Sequence, residues 1–175
     1  RHGRSHHAGH PRAGLVAVPV NPRSATGELV RLFADCGARV VVADADTVTT
    51  VRQAVAGLQD ALTAADEELV RSTPVPRIVV AGLPAVPGET RYADLLTSAG
   101  TAAPVAADPE RLAVLLYTSG TSGRPRAAML SHRALLANLE QVARLDPPML
   151  RGDDVVFGVL PLFHVYGLNA ALGMV

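Results

Sequence analysis

The sequence predicts an α/β protein: a layered domain with a largely parallel sheet. Three observations lead there. From Gly14 onward, short apolar runs alternate with helix-prone segments of about ten residues. Two of the runs, Val40-Val41-Val42 and Ile78-Val79-Val80, are continuously apolar, as strands buried on both faces of a parallel sheet are. The 175 residues also suffice for one real core, burying about 70% of the unfolded surface. No internal repeat argues for a solenoid.

The elements follow in order. Leu15 to Val20 reads as a strand and Thr26 to Asp35 as a helix, whose apolar residues Leu29, Leu32, Phe33 and Cys36 share one face. Arg39 to Ala43 reads as a strand, Asp46 to Leu58 as a helix, and Asp60 to Arg71 as a polar, helix-prone stretch. Asp44 and Asp46 admit two readings, a ribose or metal ligand and a surface turn with a helix cap, and the turn is the better one. After the turn signals Pro74 and Pro76 comes a strand over Arg77 to Ala81. Gly82 to Pro109 reads mainly as loop, with a short helix near Tyr92 to Ser98. Leu112 to Leu116 is a buried strand, Ala127 to Leu130 a second short one, and Ser131 an N-cap for a helix over Ala134 to Leu145. Val155 to Leu160 reads as another strand, after the turn Arg151-Gly152-Asp153-Asp154. An apolar helix begins near Tyr166.

The chemistry concentrates between the two strands, in Tyr117-Thr118-Ser119-Gly120-Thr121-Ser122-Gly123-Arg124-Pro125-Arg126. Hydroxyls and free backbone N–H groups donate to an anion, glycines let the backbone approach it, and arginines bring charge in planar forks. The spacing is not that of the common nucleotide phosphate loop, which ends in Gly-Lys-Ser/Thr and runs straight into a helix. A Gly/Ser-rich hairpin turn that binds nothing is the plain alternative.

From Thr118 to Pro125 this stretch resembles the signature loop of the adenylate-forming enzymes, the superfamily of acyl-CoA synthetases, luciferases and peptide-synthetase adenylation domains. It departs from that pattern at Arg126, where the family has lysine, and at Ala127, where glycine is usual. Pro161-Leu162-Phe163-His164-Val165-Tyr166-Gly167-Leu168-Asn169 resembles the family segment that lines the acyl and adenylate pocket, in the form found in fatty-acyl and aryl-acid CoA ligases. Alone, His164 would read as a satisfied core histidine; beside the loop it reads as a pocket residue. Weaker likeness extends back to Arg12.

The resemblance implies part of the N-terminal subdomain of the adenylate-forming ligase fold, most like a bacterial fatty-acid–CoA ligase. Residues 12–175 would be an incomplete AMP-binding domain, and residues 1–11 a disordered or non-family His/Arg-rich tail. The implied reaction joins a carboxylic acid to ATP as an acyl-adenylate and then to CoA, with Mg2+ present. Thr118, Ser119, Gly120, Thr121, Ser122, Gly123 and Arg126 would hold the ATP phosphates, and Thr118 is the candidate Mg2+ contact. His164, Tyr166 and Gly167 would border the acyl and adenylate pocket.

Composition excludes other classes. Formal net charge is zero and the arginines are dispersed outside the loop and the extreme N-terminus, so no nucleic-acid footprint is present. A lone cysteine, Cys36, forms no internal disulfide and reads as a core residue, and a reducing cytoplasm is the default location. No secretory signal is visible, and no apolar stretch reaches the ~20 residues that span a bilayer. The first eleven residues hold four of the six histidines; a solvated tail is the plainer reading and a metal site the other.

Every basic residue is arginine, with no lysine anywhere, as a GC-rich genome would produce. The family's catalytic lysine therefore has no counterpart, nor do its adenine-binding Tyr-Gly-x-Thr-Glu segment and its ribose-binding Asp. The chain stops inside an apolar helix. Both ends look cut relative to the family, and the expectation is a ligase piece inactive by itself, prone to self-association through an exposed apolar edge. The competing expectation is a self-standing phosphate- or nucleotide-binding module, or a remnant without catalysis.

Overall fold

A computed structural model describes residues 14–65, 67–97, 108–118 and 126–173. The chain divides into two compact units. One gathers the described residues up to Val20 and from Asp108 onward; the other holds those from Asn21 to Thr97.

The Asn21–Thr97 unit is helix and parallel sheet. Helix α1, Thr26–Cys36, buries Leu29, Leu32 and Phe33, the face its spacing predicts. Ala38 N–H closes its end on the Phe33 carbonyl at 3.2 Å. Strand β1, Val40–Ala43, leads to helix α2, Val48–Thr63, which buries Val48, Val51, Ala54, Val55, Leu58 and Leu62 and packs on α1. Helix α3, Glu67–Ser72, is polar and solvent-facing. Strands β2, Arg77–Val80, and β3, Thr90–Arg91, complete a three-stranded parallel sheet in the order β1-β2-β3. Val41 lies opposite Ile78, and Val79 opposite Thr90.

Central β2 is buried, as its apolar run predicts. Edge β1 is less so: Val40 and Val42 remain 55% and 44% exposed. Continuous apolarity marks a strand that something covers, but not what covers it.

Asp44 acts as the expected cap. Its Oδ1 accepts from Thr47 N at 3.1 Å and from Thr47 Oγ1 at 2.7 Å, and its own N–H donates to Thr47 Oγ1 at 3.1 Å. This reciprocal pairing satisfies donors that the start of α2 leaves open. Between β2 and β3 the chain turns at Val86-Pro87-Gly88-Glu89, with Glu89 N–H on Val86 O at 3.0 Å and Gly88 at φ 91. That is a type II turn, with proline at its second position and the glycine its third demands. Helix α4, Tyr92–Thr97, follows.

The other unit is built around an antiparallel hairpin. Strand β4, Leu112–Thr118, pairs with β5, Arg126–Ser131, from Val114 opposite Leu130 to Thr118 opposite Arg126. On its other side β4 meets Ala17, whose N–H donates to Ala113 O and whose carbonyl accepts from Leu115 N, both at 2.9 Å. Ala113, Val114 and Leu116 form the core cluster, covered by Ala17, Leu130, Leu135 and Leu168. Helix α5, His132–Ala143, starts at the predicted cap: Ser131 Oγ accepts from Ala134 N at 3.2 Å.

Two expected strands do not form. Leu15 to Val20 contributes a single parallel bridge at Ala17, with Leu15 53% exposed, and Pro19 has no N–H to extend a ladder. Val155 to Leu160 forms no strand: Val159 N–H turns back onto Phe157 O at 3.1 Å, and Val155 and Phe157 are 96% and 87% exposed. An apolar run becomes a strand only where another backbone supplies the hydrogen bonds, and the described residues give Val155 to Leu160 no such ladder. After it, the apolar helix expected near Tyr166 is a π-helix, Tyr166–Leu172.

Candidate functional site

Thr118 and Arg126 close the base of the anion loop. They are register partners at the end of the hairpin ladder, and Thr118 Oγ1 donates to the Arg126 carbonyl at 3.4 Å. Both are solvent-exposed. Ser119, Gly120, Thr121, Ser122 and Gly123 lie outside the described residues. Their neighbours fix where the loop starts and ends: it joins two strands rather than a strand and a helix.

Behind the hairpin, α5 is held at its start by backbone as well as by its cap. His132 N–H donates to Arg111 O at 3.2 Å and Arg133 N–H to Pro109 O at 2.8 Å. Arg133 also pairs with the Glu110 carboxylate. The chain leaving the loop is thus tied to the chain entering it.

The second predicted segment folds on this frame. His164 N–H donates to Pro161 O at 3.1 Å, and its carbonyl accepts from Leu168 N at 2.9 Å. Gly167 is buried where the new helix presses on Pro161: a Cβ there would sit 2.8 Å from the Pro161 carbonyl carbon, closer than side chains approach. His164 and Tyr166 stay exposed, and the His164 ring leans on Phe163 with centroids 4.5 Å apart. So His164 is not a buried core histidine; its ring is presented outward.

Asn169 is a residue that sequence reasoning missed. It is buried, and its Nδ2 donates to Asn138 Oδ1 at 2.8 Å and to Leu135 O at 3.4 Å, both on α5. The signal was present in a lone amide between Leu168 and an apolar run. Among the described residues no group of three or more His, Cys, Asp or Glu side chains gathers that could hold a metal ion, and Thr118 Oγ1 is one exposed neutral oxygen. A single neutral oxygen fits Mg2+ only where phosphates and waters complete the shell, as they do around bound nucleotides.

The other unit carries a shallow cleft of about 710 Å3 lined by Val80, Gly82, Leu83, Glu89, Thr90 and Arg91 among others, which shares no residue with the loop or the His164 segment. Cys36 lies half-buried on α1, and burial pushes its thiol up, the opposite of what a nucleophile needs. No helix among the described residues is long and apolar enough to cross a membrane.

Known proteins resemble this chain in sequence and in fold. A family model described as AMP-binding enzyme matches residues 7–175. The chain is similar to 4-coumarate–CoA ligase 5 of Oryza sativa subsp. japonica, with 36% identity over 165 residues, covering 92% of this chain and 27% of the ligase. It is similar to a long-chain-fatty-acid–CoA ligase of Escherichia coli O157:H7, with 33% identity over 173 residues, covering 90% of this chain and 30% of that protein. Its structure is similar to the ATP-bound crystal structure of MatB from Rhodopseudomonas palustris, at a TM-score of 0.66 and 27% identity, covering 93% of this chain and 28% of MatB. The chain thus spans less than a third of the length of these relatives.

Proposed function

Because the chain belongs to the AMP-binding enzyme family, we propose that it is part of an ATP-dependent acid–CoA ligase. The observation that carries this is the signature loop, Thr118 to Arg126, spanning the paired ends of a β-hairpin. In the proposed first step an oxygen of the substrate carboxylate attacks the α-phosphorus of ATP. The bond to the bridging oxygen breaks, giving an acyl-adenylate and pyrophosphate. A CoA thiolate then attacks the acyl carbon and AMP leaves with its electron pair.

In the first step an anion approaches a polyanion, so the protein's work is charge stabilisation and positioning. The backbone and hydroxyls of Thr118, Ser119, Gly120, Thr121, Ser122 and Gly123 would wrap the departing phosphates, with Arg126 in the place of the family lysine. Mg2+, when bound, supplies charge neutralisation across the phosphates, and Thr118 Oγ1 would be one ligand to it. Arginine retains the charge there but presents a planar fork rather than a point.

His164, Tyr166 and Gly167 would flank the acid. The exposed His164 and Tyr166 side chains support that role, whereas Gly167 contributes by letting the segment close on Pro161. The proposed acid is a fatty acid or a related one, which the E. coli relative supports; the similar rice protein makes aryl acids the natural comparison set. A cytoplasmic location goes with a lone unpaired cysteine.

The test is acid-dependent ATP–pyrophosphate exchange by the full-length polypeptide, across fatty and aryl acids. Exchange with fatty acids, and none from residues 1–175 alone, is expected. Robust exchange by residues 1–175 would refute the inactivity of the piece; none by the full-length protein with any acid would refute the ligase reading.

A further inference from the structure

We propose that Asn138 and Asn169 are positioning residues, setting the place of the His164 segment relative to the loop-bearing hairpin. Their role in acid recognition rests on the ligase reading above; their role in holding the segment does not.

Contacts of different kinds hold the segment among the described residues. Leu168 packs on the core cluster of β4, beside Leu135, which gives adhesion without direction. Gly167 fits under the Pro161 carbonyl, which fixes how tightly the segment folds on itself. Asn169 ties it in a directed way to an element outside itself. Both acceptors, Asn138 Oδ1 and Leu135 O, lie on α5, and residues 135 and 138 share one helix face.

A buried amide costs free energy unless its hydrogen bonds are made, so any slip of the segment along α5 leaves Asn169 unsatisfied. Leucine packing alone would tolerate such a slip. The pair therefore specifies register where the apolar contact cannot. Helix α5 is itself locked to the hairpin through Ser131, Arg111 and Pro109. A continuous physical path thus runs from the base of the anion loop, through α5 and Asn138, to Asn169 and the backbone that carries His164. The exposed Asn138 lies four positions after Ala134, whose N–H the Ser131 cap receives.

The test uses three variants of the full-length polypeptide. Asn169→Leu removes both donated bonds at similar volume. Asn138→Leu removes one acceptor. Asn138→Asp keeps an oxygen facing Asn169 and, being exposed, tolerates its charge. Amide hydrogen exchange is read at His164 and Leu168, whose N–H groups bond within the segment, and at Leu115 in β4 as a reference.

Exchange at His164 and Leu168 should quicken about tenfold or more in both leucine variants, stay near wild type in Asn138→Asp, and not change at Leu115. Unchanged exchange in Asn169→Leu would overturn the proposal, and so would equal loss at Leu115, which would mean the core had failed. In the activity assay, kcat/KM for the acid should fall about tenfold to a hundredfold in the leucine variants, with KM for ATP unchanged and Asn138→Asp near wild type. Equal loss toward both substrates would overturn the positioning role. A wild-type protein without acid-dependent exchange of pyrophosphate would sink the ligase reading alone, since the amide measurement still decides for or against the pair.

Discussion

Arg52 grips the carboxylate of Glu89 with two parallel donors, Nε to Oε1 at 2.7 Å and Nη2 to Oε2 at 2.9 Å. The residues sit on α2 and at the end of the turn before β3. The Glu89 side chain is only 5% exposed, and its Oε2 also accepts from Val86 N at 3.0 Å. One carboxylate therefore closes its own turn and fastens that turn to a helix.

The Arg52 hydrogen bonds hold the Glu89 carboxyl below the usual glutamate range. The folded pKa is the lower of the two, so the stabilisation is present above the unfolded value of about 4.3 and is lost as pH falls through the folded one. Glu89→Gln should unfold more easily at pH 7 and show a flatter stability-versus-pH curve as pH falls below the usual glutamate range. Urea unfolding at several pH values measures both. Parallel curves for wild type and variant would remove Glu89 from the acid sensitivity.

Asp44 makes a second such site on a smaller scale. Its carboxyl is lowered chiefly by the Thr47 hydroxyl, so its contribution too fades as pH falls below the aspartate range. Asp44→Ala should cost about 1 kcal/mol at neutral pH, the usual worth of a cap. Asp44→Asn should keep most of it while losing the pH dependence. A cost near zero for alanine would show that α2 starts without its cap.

Arg126 bears directly on the proposed chemistry. In the full-length polypeptide, Arg126→Ala should lower acid-dependent pyrophosphate exchange about a hundredfold or more, the scale of losing one well-placed donor to developing charge. Arg126→Lys should retain activity, since the family pattern carries lysine there. Wild-type rates in Arg126→Ala would place the charge elsewhere on the loop.

The Val155–Leu160 run should make residues 1–175 associate when expressed alone. Val155, Phe157 and Val159 are 96%, 87% and 66% exposed, a contiguous apolar surface. Light scattering after gel filtration should give a mass above 18.2 kDa. Phe157→Asp should lower it. A monodisperse monomer would contradict the expectation.

Local chemistry was legible in the sequence, and partnership was not. The face of α1, the β2 run, the Ser131 cap and the strand–loop–strand–helix order around the anion loop all follow from neighbours in sequence, and the two strands, the cap and the helices are present. Leu15 to Val20 and Val155 to Leu160 have strand composition, yet a ladder needs a second backbone, and composition cannot say whether one arrives. Two-residue β3 is too short to leave a pattern. Arg52 with Glu89 and Asn138 with Asn169 are side-chain pairs made across loops, visible beforehand only as a charge or an amide of unassigned purpose. At the candidate site, the motifs named the residues. The outward-facing His164 ring and the Asn169 tether needed coordinates.

The bridge between Ala17 and β4 has a consequence for biosynthesis. Leu115 N–H cannot reach the Ala17 carbonyl until the ribosome has made nearly a hundred further residues beyond Ala17. Meanwhile everything needed for the Asn21–Thr97 sheet and its helices has already emerged in one uninterrupted stretch. That stretch is free to fold first, while the segment before it waits unpaired for a strand still to be translated.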